Sequence, residues 1–217
     1  MVPDQRKNSR LGLILTINII DIGLGNIRSI EHWLEQSNLS SRRVTSPSSF
    51  PEGAIVIPGV SSVGEYMRRL KKSGLDKEIL ERADKGQKII GICLGFQMLA
   101  ESSEEDGITA GLGFIPASVE SFSAQELEGR KLPHIGFNQV ELPHSSILFD
   151  GFEATEDFYF VHSYRLLAQG LLGKKAICNY GVDFLAAYEF ENVFGAQFHP
   201  EKSQTNGLRL LANFLST

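Results

Sequence analysis

The segment Gly91-Ile92-Cys93-Leu94-Gly95 constrains this chain most, because a glycine lies two residues before the cysteine and another two residues after it. The apolar pair Ile89-Ile90 precedes the segment, and a short helical pattern follows it. This order predicts a sharp strand-to-helix turn that exposes a nucleophilic side chain, with glycines where side chains would collide. Cys93 would then lie at a helix N-terminus, where backbone N–H groups and the helix dipole favour a thiolate.

A second segment, residues 197–203, contains a histidine and a glutamate two positions apart. In an extended chain the side chains of His199 and Glu201 point to the same side, and Pro200 favours extended backbone for the residue before it. A histidine that is oriented by a carboxylate can act as a general base. The two segments together predict a Cys93–His199–Glu201 triad for acyl transfer.

Both catalytic assignments have a structural alternative. Cysteine is among the residues most often buried, and a histidine at a strand end can be satisfied by its surroundings. The glycine spacing around Cys93 and the carboxylate beside His199 favour the catalytic interpretation. Cys178 lies in an apolar run without such neighbours, so it is predicted to be a core residue.

A cysteine that is acylated by its substrate also needs hydrogen-bond donors for the oxyanion. The backbone N–H of Leu94 is the predicted first donor, because this residue follows the nucleophile in the turn. The segment that begins at Pro58 and Gly59 is the best candidate for the second donor, since it leaves a strand at the carboxyl edge of a parallel sheet. An ordinary strand-to-helix turn would also account for this segment.

The apolar pattern predicts an α/β fold in which an open, mixed, mostly parallel sheet is flanked by helices. In the first half, strands alternate with helices at 27–34 and 65–84; the strands are predicted near 13–20, 43–45, 54–57 and 88–92. The predicted inner positions of the second helix are Met67, Leu70, Leu75, Ile79 and Leu80. The second half predicts antiparallel strands beside this core, at 113–119, 139–142, 158–166, 175–179, 184–190 and 193–198, and a closing helix at 207–215.

Composition excludes several other classes of protein. A length of 217 residues suits one domain, predicted at 11–217, after a polar extension at 1–10 that is predicted to be disordered. The net charge of −5 does not favour nucleic-acid binding. The apolar run at 11–20 is too short for a membrane span, and Asn18 and Asp21 argue against a signal peptide. Two cysteines and no metal-ligand spacing predict a cytoplasmic protein without disulfides or a metal site.

Further motifs resemble those of the triad-type, class I glutamine amidotransferases, and among them the glutaminase subunits of imidazole glycerol phosphate synthases. These motifs are Asp21 to Ser29, Pro58 to Val60, Gly91 to Leu99, Pro133 to Asn138, Phe160 to Tyr164 and Gln197 to Ser203. The resemblance runs from about residue 17 to residue 215 and implies a flavodoxin-like fold. It also implies hydrolysis of L-glutamine to glutamate and ammonia without a cofactor, with Cys93 carrying a thioester. The ammonia would pass to a (β/α)8-barrel cyclase partner in a heterodimer that makes imidazole glycerol phosphate and an aminoimidazole carboxamide ribotide for histidine biosynthesis.

The resemblance also assigns roles to individual residues. Gln97, Glu105 and Ser163 would contact the glutamine substrate, while Gly59 and Val60 would belong to a flexible oxyanion strand. The residues expected toward the cyclase are Asn26, Phe137, Asn138, Tyr159 and Lys202.

Two departures from the family pattern leave alternatives open. Ser61 stands where the family usually has glycine, which could stiffen the oxyanion strand. Phe137 stands where it usually has tryptophan, so the aromatic contact remains without the indole donor. The same glutaminase chemistry could instead feed a partner that forms an amidino sugar for cell-surface polysaccharide. A catalytically silent subunit that only stabilises a partner is a further alternative, and so is a cysteine peptidase or hydrolase on a similar fold.

Overall fold

The computed structural model describes residues 16–216, which form a mixed α/β fold. The predicted extension at 1–10 and the first residues of the predicted first strand therefore lie outside the described residues. The strands are β1 (Ile17–Ile20), β2 (Ser41–Val44), β3 (Ile55–Ile57), β4 (Ile89–Ile92), β5 (Ala100–Ser103), β6 (Thr109–Ala110), β7 (Ile115–Ser121), β8 (His134–Glu141), β9 (Thr155–His162), β10 (Tyr164–Leu166), β11 (Lys174–Asn179), β12 (Asp183–Phe190) and β13 (Val193–Ala196). The helices are α1 (Ile27–Gln36), α2 (Val63–Ser73), α3 (Leu75–Asp84), α4 (Leu94–Met98), α5 (Ala124–Leu127) and α6 (Gln204–Leu215).

The large sheet has nine strands in the order β2-β1-β3-β4-β13-β12-β11-β8-β9. The first five run parallel to one another, and the last four continue the sheet with antiparallel pairings. The predicted mixed sheet is thus confirmed, since some of its strand pairings are parallel and the others are antiparallel. The strand predicted at 193–198 is not a purely antiparallel addition, because β13 pairs in parallel with β4 and so carries His199 to the carboxyl end of the strand before Cys93.

A second sheet of four strands, in the order β10-β7-β5-β6, was not anticipated as a separate layer. The strand predicted at 113–119 belongs to this sheet as β7. The strand predicted at 158–166 is divided, since β9 pairs in the large sheet and β10 pairs in the small one. Ser163 lies at the crossing between the two sheets.

Apolar periodicity accounts for the helices that cover the large sheet. Helix α1 buries Ile27, Ile30, Trp33 and Leu34, the face that its 3.6-residue spacing predicts. The helix predicted at 65–84 is wrong as one element, because Gly74 adopts a left-handed φ of 75° and ends α2 before α3 begins. Leu80, predicted to face inward, is 37% exposed, because α3 buries the face that carries Leu75, Ile79 and Ala83.

The core forms two apolar clusters, one on each face of the parallel strands. Alternation along β3 sends Val56 into one cluster and Ile55 and Ile57 into the other. Helices α1 and α6 cover the first face, where the Trp33 indole N–H donates to the Gly207 carbonyl at 3.1 Å. Helices α2 and α3 cover the second. With both faces covered, the carboxyl edge of the parallel strands is left for a site.

Candidate active site

Cys93 occupies the turn between β4 and α4 with φ 54° and ψ −110°. A β-carbon on Gly91 would lie 2.5 Å from the Gly95 carbonyl oxygen, and one on Gly95 would lie 1.8 Å from the Ile57 oxygen. Real β-carbons do not approach backbone this closely, so both glycines are required by contacts with fixed backbone. The strained φ of Cys93 is maintained by this packing, as the sequence spacing predicts for a nucleophile elbow.

His199 and Glu201 form a buried pair, with 2.7 Å between Nδ1 of the imidazole and Oε1 of the carboxylate. The extended segment predicted to align them is wrong, because residues 200–202 form a 3₁₀ turn that begins at Pro200. This turn folds the carboxylate back onto the ring. The His199 backbone N–H donates to the Tyr159 carbonyl at 2.8 Å, which ties the pair to β9.

The environment of the His199 imidazole favours its protonated form. Burial alone would lower its pKa, but the neighbouring Cys93 sulfur and the hydrogen-bonded Glu201 carboxylate outweigh burial and raise the pKa to about 10. Nε2, the nitrogen that faces away from Glu201, is buried and has no hydrogen-bond partner among residues 16–216. Its free position beside the Cys93 sulfur leaves it able to exchange a proton with a bound substrate.

Cys93 and His199 open into one cavity of about 450 Å³. It is lined by Asn26, Gly59, Val60, Ser61, Cys93, Leu94, Gln97, Glu105, Pro133, Val161, His162, Ser163, Tyr164, His199 and Lys202. A larger cleft of about 520 Å³ lies over Arg68, Arg69 and Lys72 and contains neither the cysteine nor the histidine. Chemistry rather than size therefore identifies the candidate site.

On the oxyanion side of the cavity, Gly59 packs directly against the elbow. A β-carbon on Gly59 would lie 2.8 Å from the β-carbon of Leu94. Leu94 is the first residue of α4, so its N–H has no partner within the helix. The next residues turn outward: Val60 is 48% exposed, and Ser61 has a φ of 133°, which favours glycine.

Glu105 and Gln97 lie at different depths of the cavity. The Glu105 carboxylate accepts a hydrogen bond from the Val63 N–H at 2.9 Å, and burial raises its pKa. Gln97 is only 4% exposed, and its amide nitrogen donates to the Tyr164 carbonyl at 2.9 Å and to Gln197 at 3.0 Å. Gln97 can therefore offer a ligand its carbonyl oxygen but no free amide proton.

Two contacts of the Cys93 sulfur were not assigned from the sequence. The thiol lies 3.7 Å from the Val161 carbonyl, to which it donates, and the Gln197 amide nitrogen donates to the sulfur at 3.8 Å. Gln197 and His162 both stand in motifs that the sequence singles out, yet neither had a role. A polar residue within a run of buried residues is the signal that could have found them.

Four of the five residues expected toward a partner lie on the edge strand β9, its neighbour β8 and the turn after β13. The fifth, Asn26, lies at the start of α1 and lines the cavity instead. Phe137 is 51% exposed, and its ring meets the Tyr159 ring edge-on with 5.5 Å between the ring centres. The Lys202 ammonium lies 5.6 Å from the centre of the Tyr159 ring. Ile135, on the same side of β8 as Phe137, is 60% exposed. Asn138 alternates to the other side, where its amide donates to the Asn179 carbonyl at 3.1 Å.

Within residues 16–216, no group of three or more His, Cys, Asp or Glu side chains is arranged to hold a metal ion. None of the described helices is both long enough and apolar enough to cross a membrane. Both cysteines are unpaired, and Cys178 is buried in the core, as predicted.

Comparison with known sequences gives close relatives over almost the whole chain. The family described as Glutamine amidotransferase class-I matches residues 18–217. The imidazole glycerol phosphate synthase subunit HisH of Moorella thermoacetica is 38% identical over 199 residues, which cover 91% of this chain and 93% of that protein. The HisH subunits of Syntrophotalea carbinolica and Bdellovibrio bacteriovorus are 39% and 40% identical over 202 residues, covering 91% of this chain and 98% of each relative.

Solved structures agree on the fold. A crystal structure described as a glutamine amidotransferase superimposes with a TM-score of 0.71 at 19% identity, covering 92% of this chain and 97% of the other. The structure of PurLQS from Thermotoga maritima gives a TM-score of 0.70 at 20% identity, covering 93% and 98%.

Proposed function

The chain belongs to the class-I glutamine amidotransferase family, as a HisH-type subunit of imidazole glycerol phosphate synthase in histidine biosynthesis, and on that premise we propose that Cys93 carries the glutaminase reaction. The observation that supports this most is one cavity shared by a cysteine on a glycine-flanked elbow and a histidine held by a buried carboxylate. The substrate would be L-glutamine and the products glutamate and ammonia.

The first half-reaction forms a thioester. The Cys93 thiol gives its proton to Nε2 of His199, and the sulfur attacks the side-chain carbonyl carbon of glutamine. The carbonyl oxygen becomes an oxyanion, which the N–H of Leu94 and a donor from the Gly59–Val60 strand stabilise. His199 then passes the proton to the departing nitrogen, so ammonia leaves and a γ-glutamyl thioester remains on Cys93.

Hydrolysis of the thioester restores the enzyme. Water attacks the thioester carbonyl and gives a proton to Nε2 of His199, and the collapse of the second oxyanion releases glutamate as the thiol regains that proton. Throughout, Glu201 accepts the hydrogen bond from Nδ1 and stabilises the imidazolium that forms in each half-reaction. No step requires a metal or cofactor.

Glutamine itself would be held by polar groups that line the cavity beside Cys93. Glu105 carries the charge that suits the α-ammonium group, and the free oxygen of Gln97 is an acceptor for an N–H of the substrate. Ser163 lines the same wall at the crossing between the sheets. These assignments predict selectivity for glutamine over amides that lack the α-amino group, because Glu105 would be left without its partner.

The ammonia would pass to a (β/α)8-barrel cyclase subunit in a heterodimer, which would form imidazole glycerol phosphate and aminoimidazole carboxamide ribotide. We place this partner on the surface formed by exposed Ile135 and Phe137 and half-buried Tyr159. Lys202, which lies beside the Tyr159 ring, connects this surface to the cavity that it lines. Exposed aromatic side chains of this kind are typical of the centre of protein interfaces. Because the reaction needs a reduced thiol at Cys93, we place the protein in the reducing cytoplasm.

Glutamate release from glutamine by the pure chain tests this proposal, with and without the cyclase subunit of the same organism and a nucleotide ligand of that subunit. We expect low release by the chain alone and strong stimulation when cyclase and ligand are both present. Release that the cyclase does not stimulate would keep the chemistry but overturn the proposed partner. No release under any condition would overturn the glutaminase proposal.

A further inference from the structure

A continuous series of hydrogen bonds leads to the Cys93 sulfur from the backbone carbonyl of Tyr164, a residue that lines the same cavity. The Tyr164 carbonyl accepts from the Gln97 amide nitrogen at 2.9 Å, and the same nitrogen donates to Oε1 of Gln197 at 3.0 Å. The Gln197 amide nitrogen in turn donates to the Cys93 sulfur at 3.8 Å. Gln197 is fully buried.

The direction of this series is fixed by its first member. A backbone carbonyl can only accept, so Gln97 must turn its NH₂ group toward Tyr164. The second proton of that NH₂ group then meets Gln197, which must turn its oxygen toward Gln97 because two amide nitrogens cannot bond each other without an acceptor. The only polar group that Gln197 has left for the sulfur is its own NH₂.

Two neutral histidines reinforce the same direction. The His162 Nδ1–H donates to the Tyr164 carbonyl at 2.8 Å, so Nε2 of this ring is an acceptor and lies 3.0 Å from Nδ1 of His134. Burial lowers the pKa of His162 to about 3 and that of His134 to about 4, which keeps both rings neutral near pH 7. The His134 Nδ1–H must therefore be the donor, and the pair holds the Tyr164 carbonyl in place.

Satisfaction of a buried amide would explain a hydrogen bond from Gln197 to any acceptor. Here the acceptor is the sulfur of the residue at the nucleophile elbow, and the donor is presented in one orientation by neighbours that cannot reverse. An N–H aimed at a sulfur stabilises negative charge on it, because a hydrogen bond to an ionised acceptor is about twice as strong as one to a neutral acceptor.

We propose that Gln197 is a further catalytic residue, which stabilises the Cys93 thiolate through its amide N–H, and that Gln97, His162 and His134 are positioning residues that fix the orientation of that amide. This rests on the proposed role of Cys93 as nucleophile. Gln97 then has a second role besides any contact with glutamine, because both of its amide protons form hydrogen bonds that orient Gln197.

The test measures the rate at which iodoacetamide alkylates Cys93 at pH 7.5, with peptide mapping by mass spectrometry and Cys93→Ala as the blank. Alkylation involves no glutamine, so its outcome is independent of the glutaminase proposal. Gln197→Met keeps the side-chain length but removes the amide. We expect the alkylation rate of this variant to fall by about 10-fold, as loss of one hydrogen bond to a charged acceptor predicts. Gln197→Glu should react more slowly still, because it brings a negative charge to the sulfur.

Gln125→Glu makes the same chemical change on an exposed turn of α5 and should alkylate at the wild-type rate. Gln97→Met leaves Gln197 in place without its orienting donor, so we expect a smaller fall, about 3-fold. It also keeps the proposal testable if the Gln197 variants do not fold. In steady state, Gln197→Met should lower kcat while the KM for glutamine changes by less than about 3-fold, because Gln197 contacts the sulfur and not the substrate.

Wild-type alkylation in a Gln197→Met protein that keeps the wild-type far-UV spectrum would overturn the catalytic role of Gln197. Wild-type alkylation in a folded Gln97→Met protein would overturn the positioning role. If the wild-type chain alkylates readily and the Gln197 variants do not, while no glutamate is released under any condition, the inference stands and the glutaminase proposal fails.

Discussion

Replacing His134 by asparagine should reduce by one the number of protons that this protein takes up when it unfolds in acid. The ring of His134 is 2% exposed, stacks on Tyr180 with 4.0 Å between centroids, and donates to His162. Asparagine keeps a donor at the Nδ1 position, so the state of His162 is preserved, but it has no titrating group. The variant therefore isolates the titration of His134 from its hydrogen bond.

The magnitude follows from the pKa of His134, which burial lowers from an ordinary value of 6.5 to about 4. Between these two pH values the unfolded chain binds a proton that the folded chain does not, so stability falls as the pH falls. The slope is about 1.4 kcal/mol per pH unit for one proton. Half of the unfolded chains already bind this proton at pH 6.5, so the contribution of His134 to the loss is about 0.4 kcal/mol from pH 8 to pH 6.5 and about 2.2 kcal/mol more from pH 6.5 to pH 4.5.

The assay is urea unfolding of wild type and His134→Asn at pH values from 4.5 to 8. The free energies of unfolding should differ by a nearly constant amount from pH 7.5 to pH 8, which serves as the internal control, since any loss of stacking acts equally there. From pH 7.5 to pH 4.5 the two curves should converge by about 2.5 kcal/mol, because only the wild type loses this contribution. Curves that stay parallel down to pH 4.5 would refute the claim that His134 is buried as a neutral ring.

Three further substitutions test other parts of the structure. Gly95→Ala should destabilise the fold by about 3 kcal/mol or more in urea unfolding, because the new methyl group meets the Ile57 carbonyl; a loss under about 1 kcal/mol would contradict the packing at the elbow. Ser61→Gly should raise the free energy of unfolding by about 1 kcal/mol, since it relieves a φ of 133°, and a lower stability would count against strain there. Lys202→Ala should change the free energy of unfolding by less than about 0.5 kcal/mol yet reduce stimulation by the cyclase, whereas unchanged stimulation would remove Lys202 from the partner surface.

Local sterics and periodicity explain what the sequence alone could predict. The turn at Cys93 follows from glycines that meet backbone on both sides, and the buried face of α1 follows from apolar residues at helical spacing. Each depends on residues that are close together in the chain. The single long helix failed at Gly74, where a glycine that the helical pattern tolerates instead ends one helix in a left-handed conformation.

Features that depend on distant parts of the chain were out of reach. The parallel pairing of β13 with β4 joins residues about a hundred positions apart, and no local pattern distinguishes it from an antiparallel strand. His199 and Glu201 do contact each other, but the extended segment that led to this prediction is wrong. A 3₁₀ turn at Pro200 brings the two side chains together instead. The role of Gln197 depends on the Tyr164 carbonyl, which the crossing at Ser163 brings to Gln97.

The most direct measurement of the central claim is the mass of the protein during turnover. Wild-type chain would be mixed with glutamine and with its cyclase and nucleotide ligand, quenched in acid within the first turnovers, and mapped by peptide mass spectrometry. We predict a γ-glutamyl adduct on Cys93 that disappears as glutamine is exhausted and never forms on Cys178 or in Cys93→Ala. Glutamate release by Cys93→Ala at the wild-type rate, without any adduct, would contradict the account.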